Sequence, residues 1–158
     1  MSVFLNTALF MSTHVNRIDG KGRISFPATF RSALVALNSQ GVVIFRSPAE
    51  PAIEGVTIER MKQMSDALES YPPFDPRRTA IEHGIFGTAQ ELVIDREGRC
   101  SLPKSLLDQI GITTDAAFLG RGSTFQIWEP GALAAEAAKA ADALRSGAVS
   151  MPVLQRAP

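Results

Sequence analysis

Between His14 and Arg31 the chain gathers four cations, Arg17, Lys21, Arg23 and Arg31, around one acid, Asp19, a local balance of +3. Arginine can donate two parallel hydrogen bonds to guanine O6 and N7 in a major groove, and lysine or arginine can neutralise phosphates. The chemistry on offer is therefore contact with DNA. Arg23, one residue past a tight turn, is the candidate for a base contact, and Lys21, Arg17 and Arg31 are candidates for phosphates. Catalysis would need a nucleophile with a base, paired acids or a metal. The acids here read as turn or helix-surface residues, and His14 and His83 have no evident partner. Cys100, the only cysteine, offers with them no familiar zinc-ligand spacing and no disulfide. We expect no enzyme, no cofactor, no metal and no small-molecule ligand. Gly120-Arg121-Gly122 falls between expected strands and reads as a hairpin turn, without the rest of a dinucleotide fingerprint.

Plainer roles stand beside each of these. Arg23 and Arg99 can pair with Asp19 and Asp95 across their turns. That pairing is the expectation for Arg99, so Asp19, Asp95 and Arg99 are assigned to holding the motif. Lys21 can be a solvated turn lysine, and Arg31 can lie on the open side of its helix. Arg77 and Arg78 stand at a helix start, where the dipole disfavours cations, and suit inter-helix contacts better than phosphate. His14 suits an ordinary strand position, Trp128 and the methionine stripe suit the core or a subunit contact, and Cys100 suits a small buried site.

The elements that must position these residues come from a repeat. NRIDGKGRISFPATFRSAL, from Asn16, matches LVIDREGRCSLPKSLLDQI, from Leu92, at an offset of 76 residues. Asp19, Gly22, Arg23, Ser25 and Pro27 recur as Asp95, Gly98, Arg99, Ser101 and Pro103, and apolar positions recur around them. Each copy reads as strand, turn, strand (Arg23 to Phe26, Arg99 to Leu102) and helix. Proline stands in the first helical turn, with Ser25 or Ser101 as a cap. Further strands are expected at Val42 to Phe45, Ala117 to Gly120 and Thr124 to Trp128. Helices are expected from Ile58 to Leu68, after the Asp75-Pro76 start, and from Ala132 to Arg145. Pro48 to Gly55 reads as a loop.

One such unit buries too little surface to be stable alone, whereas two can cover each other's apolar faces. The expected division is residues 3–70, residues 71–145 and a mobile tail, 146–158. The copies differ in charge. From Gln90 to Leu107, Arg96, Arg99 and Lys104 face Glu91, Asp95 and Glu97, a balance of zero, and Glu97 replaces Lys21 at the turn. This places the DNA face on the first copy and gives the second a structural or assembly role.

Across 158 residues the net charge is zero, with 45% hydrophobic and 20% charged residues. A globular protein with its cations gathered on one face fits these values, and a basic polymer coating nucleic acid does not. Met1 to Met11 has no basic n-region, and no apolar run is long enough to span a bilayer. We expect a cytoplasmic, reduced setting and no membrane partner.

With D-x-x-G-R-x-S-x-P twice over, the sequence resembles the MraZ family, also at FLNT (Phe4–Thr7), at PPFDPRR (Pro72 to Arg78) and at FLGRGSTFQIWE (Phe118 to Glu129). The resemblance runs from about Val3 to Leu144. It implies an α+β fold: two tandem AbrB-like swapped-hairpin units in a β-barrel pseudo-dimer with flanking helices. It also implies a nucleoid-associated transcriptional repressor that forms ring-like homo-oligomers on direct DNA repeats upstream of the division and cell-wall gene cluster. In that family the arginine of the first motif touches DNA, which falls on Arg23, and its basic neighbour falls on Lys21. Cys100 departs from the family, where an aliphatic residue is usual. The competing reading is an antitoxin-like protein-interaction module with secondary DNA binding.

Overall fold

In the computed structural model, which describes residues 8–153, each repeat lends its first strand to the other. The first copy supplies β1 (Thr13–Arg17), β2 (Arg23–Ser25), α1 (Ala28–Ala36), β3 (Val42–Arg46) and β4 (Ala52–Thr57). Helices α2 (Ile58–Leu68) and α3 (Pro76–Ile81) follow, and α3 continues into a π-helical turn, Glu82–Phe86. The second copy supplies β5 (Gln90–Leu92), β6 (Arg99–Ser101), α4 (Lys104–Gln109), β7 (Asp115–Gly120) and β8 (Phe125–Trp128), and α5 (Pro130–Arg145) closes the series. The FLNT segment, the opening of the expected first unit and the last five residues of the tail lie outside the described residues.

Six strands form one antiparallel sheet in the order β1-β7-β8-β4-β3-β5, and β2 pairs with β6 as a separate ribbon. The order is palindromic under the repeat: β1 lies on β7 of the second copy, and β5 lies on β3 of the first. The fold is thus α+β with antiparallel sheets, as expected, but the barrel does not close. At the sheet's ends β1 pairs only with β7 and β5 only with β3. The chain leaves β1 and β5 through the tight turns and enters the β2–β6 ribbon, which pairs with itself and does not bridge the two edges. Each expected strand–turn–strand unit is therefore divided between two sheets.

Pro48 to Gly55, expected as a loop, is in its second half the central strand β4, bonded to β3 and β8. Its residues are buried on both faces, so it lacks the alternation that marks a half-exposed strand. Ser25 and Ser101 do not cap helices. They point outward from the ribbon, while Pro27 and Pro103 occupy the positions before α1 and α4, with no side-chain cap. The Asp75 cap does form, accepting the Arg77 N–H at 2.9 Å.

Five phenylalanines, Phe10, Phe26, Phe30, Phe118 and Phe125, sit at the centre with almost no exposure, drawn from both copies. Their rings meet edge to face or tilted, as in Phe10 on Phe30 at 5.2 Å, the geometry aromatic quadrupoles favour. Met61 packs under α2 with Val43, Phe45 and Val56. Trp128 and Leu133 pack with Ala52 and Ala117 beneath α5. Among the described residues no helix is long and apolar enough to cross a membrane.

Candidate nucleic-acid interface

The two motif turns share one backbone geometry. In the first, the Asp19 carboxylate accepts the N–H groups of Lys21 and Arg23, both at 2.9 Å, and the Gly22 N–H donates to the Asp19 carbonyl at 3.0 Å. In the second, Asp95 accepts from Glu97 at 2.9 Å and Arg99 at 3.0 Å. Gly22 and Gly98 adopt φ of +80° and +79°, a conformation that glycine enters without a Cβ penalty. The spacing D-x-x-G-R follows from these requirements: an acceptor, a tight reversal, then an arginine leading into the ribbon.

The side chains part company where the backbones agree. Arg23 Nε donates to Asp19 Oδ2 at 2.9 Å, and both groups stay substantially exposed. Arg99, expected to make the equivalent pair with Asp95, makes no side-chain hydrogen bond or ion pair among the described residues. The Arg23 pair uses Nε alone, so the two Nη groups keep their donors for an outside acceptor. The N–H groups of Arg23 and Lys21, and then the Arg23 guanidinium, hold the Asp19 carboxyl below the ordinary aspartate value. Asp19 therefore stays charged and keeps Arg23 aimed throughout the neutral range.

Between the turns lies the ribbon, with Arg23 opposite Ser101, Ile24 opposite Cys100 and Ser25 opposite Arg99. Ile24 and Cys100 face the core at 1% and 3% exposure. By the two-residue period of a strand, Arg23, Ser25, Arg99 and Ser101 share the outer face. Phe26 N–H to Gly98 carbonyl at 2.8 Å, and Leu102 N–H to Gly22 carbonyl at 3.2 Å, extend the pairing symmetrically to both turns. Burial pushes the Cys100 thiol up to about 12, so it remains a neutral packing group.

The remaining cations sit around this face. Arg17 is exposed at the end of β1, and Lys21 is exposed at the tip of the first turn. Arg31, also exposed, does not lie over its own copy's turn. Its guanidinium rests on Gly98, so close that a Cβ there would stand 2.6 Å from Arg31 Cζ. The first copy thus delivers a cation to the second turn, beside Glu97. Leu107 occupies the equivalent place on α4, which is the one trace of this difference in the sequence. Arg77 and Arg78 stay within the chain: Arg77 pairs with Asp75 at 2.7 Å and lies over the Tyr71 ring, and Arg78 pairs with Glu69 at 3.1 Å. The His14 ring meets Thr29 at 3.2 Å and the edge of Phe30. Among the described residues no cluster of metal-ligating side chains occurs.

Comparison with known proteins fits this arrangement. "Transcriptional regulator MraZ" of Pelagibacter ubique (strain HTCC1062) is 40% identical over 124 residues, 78% of this chain and 80% of that protein. This chain belongs to the MraZ family. A MraZ of Gluconobacter oxydans (strain 621H) is 36% identical over 152 residues, covering 94% of this chain and 90% of its own. Another, from Xanthobacter autotrophicus (strain ATCC BAA-1158 / Py2), is 38% identical over 136 residues, 86% of this chain and 87% of its own. The family model described as "MraZ protein, putative antitoxin-like" matches residues 85–146. These relatives are named as transcriptional regulators and none as an enzyme. Within this MraZ-family chain, the ribbon face joins residues 76 positions apart, so the site belongs to neither copy alone.

Proposed function

We propose that this chain is a sequence-specific DNA-binding transcriptional regulator that meets the major groove with its β2–β6 ribbon. The observation that carries the reading is the exposed Arg23, aimed by Asp19 through one nitrogen with its other donors free. A two-stranded ribbon fits a major groove, and a guanidinium so held can address guanine. Lys21 and Arg17 flank Arg23 as phosphate contacts, and Arg31 supplies one at the far turn. The regulatory names of the relatives support the same reading.

One ribbon with a few such contacts binds weakly. We therefore place the protein in a ring-like homo-oligomer whose ribbons meet direct repeats spaced about one helical turn, ~10 bp, so that effective concentration multiplies weak sites. The setting is the cytoplasm at the nucleoid, and the action is repression of the division and cell-wall gene cluster. The strand exchange around the ribbon supports assigning the halves to the AbrB-like swapped-hairpin type.

The test is a binding titration of the full chain against the DNA upstream of its own coding sequence, at several salt concentrations. Binding that weakens with salt, needs repeated sites and disappears in a folded Arg23→Ala variant is expected. Lys21→Ala should weaken every sequence alike and reduce the salt slope by about 0.9. Full binding by both variants would sink this reading and move the antitoxin-like interaction module ahead.

A further inference from the structure

The ribbon carries a second arginine that the charge argument from sequence set aside. Glu97 at the second turn and the zero balance of that copy point to a bracing role for Arg99, through a pair with Asp95. The Asp95 carboxylate is instead turned onto the backbone N–H groups of Glu97 and Arg99. The Arg99 side chain is left half-exposed and without an intramolecular partner among the described residues. Held charges of this kind are usually paired or solvated, and this one stands on the same outer face as Arg23. Both arginines line a shallow groove of about 330 Å³, together with Ser101 and Asp95.

Register fixes their spacing. Arg23 lies opposite Ser101 and Arg99 opposite Ser25, so the arginines are diagonal neighbours across the two strands. Diagonal positions on one face of an antiparallel pair stand about 7–8 Å apart. Base pairs in DNA rise about 3.4 Å per step, so the two guanidiniums match positions about two base pairs apart. Serine beside each arginine leaves the groove open, with no bulky side chain to hold the duplex off.

We propose that Arg99 is a second DNA-contacting residue, donating to a base edge about two base pairs from the one Arg23 addresses. The inference rests on the DNA-binding reading above and extends the interface to the second copy. Arg99 supplies geometry rather than net charge, because Glu97, Glu91 and Asp95 surround it and cancel its field.

Duplexes are enriched from a random pool by the wild-type full chain, and every single-base variant of the enriched sequence is then titrated at one fixed salt. Arg23→Ala, Arg99→Ala, Arg99→Lys and the remote surface control Lys139→Ala are compared, each with its melting temperature. Arg99→Ala should weaken binding to the enriched duplex about 5- to 140-fold. It should lose discrimination at one base position, about two steps from the position lost in Arg23→Ala, and melt with the wild type. Arg99→Lys should not restore that discrimination, since a lysine cannot reproduce the planar fork. An Arg99→Ala protein that discriminates every position like the wild type, while Arg23→Ala fails, would overturn the inference and leave the DNA-binding reading intact. A lowered melting temperature with uniformly weakened binding would make Arg99 a bracing residue, and restoration by lysine would make it a phosphate contact; either overturns it. If the wild type enriches no sequence, both readings fall together.

Discussion

At the scale of single residues, the interface depends on one carboxylate. Asp19 organises its turn through two backbone N–H groups and aims Arg23 through the guanidinium, and the backbone bonds contribute most to its lowered pKa. Carboxyl-carbon NMR should therefore find Asp19 titrating below 3.8, and Arg23→Ala should raise it only part of the way back. A full return would mean that the ion pair, not the turn, sets the charge. Glu59, Asp75 and Glu129 are lowered too, each by hydrogen bonds: Glu59 first by the Ser39 hydroxyl, Asp75 first by the Arg77 side chain, Glu129 first by the Gly131 N–H. A carboxylate with a depressed folded pKa adds stability that is fully present above its unfolded pKa and is lost as pH falls through the folded value. Melting temperature should thus hold level from neutral pH to about 5 and drop below about 4, where unfolded aspartate and glutamate begin to bind protons. Cys100 behaves in the opposite sense. With its thiol raised to about 12 and its side chain against Ile24, it should resist a thiol reagent at pH 8 in the folded protein and react once denaturant opens the ribbon. Labelling on mixing would show that the ribbon opens readily.

At the scale of elements, two close approaches limit what the strands tolerate. Gly55 of β4 lies opposite Phe125 of β8, and a Cβ there would stand 2.2 Å from the ring. Phe125 is fully buried in the aromatic cluster and has no room to retreat. Gly55→Ala should cost about 1–3 kcal/mol by overpacking, a drop of several degrees in the thermal melt. Gly22→Ala and Gly98→Ala both force a side chain to positive φ, at about 1–2 kcal/mol each. They differ in what else moves: at Gly98 the new methyl must also displace the Arg31 guanidinium, whereas at Gly22 the nearest atom is 3.6 Å away. Equal losses of stability with a larger loss of DNA affinity in Gly98→Ala would place Arg31 at the duplex. Unequal stabilities would assign the Arg31 contact to the fold.

For the whole molecule, exchange of strands makes the halves interdependent. β7 has β1 as its outer neighbour and β3 has β5, so separating the copies strips one partner strand from each hairpin. It also splits the phenylalanine cluster, which takes Phe10, Phe26 and Phe30 from one copy and Phe118 and Phe125 from the other. Residues 1–70 and 71–158, produced separately, should each show the circular dichroism of an unfolded or aggregating chain. Mixed, they should regain β-structure and a cooperative melt. A stable fold in either half alone would contradict the shared core.

Sequence alone determined the repeat, the turn chemistry and most of the elements, because each rests on local requirements. The Asp and Gly of each turn answer to backbone N–H groups and positive φ a few residues away, and the i, i+4 apolar pairs answer to one helix face. The family followed from the same motifs. Only tertiary structure decided which strands meet, because pairing joins residues some 76 positions apart that no local pattern relates. That is why β4, buried on both faces, looked like a loop, and why the ribbon serines looked like caps. Pairing across the repeat also set Arg99 beside Arg23 and laid Arg31 over the opposite turn. The charge asymmetry visible along the chain is therefore softened in space, since the fold brings cations from distant positions onto one face.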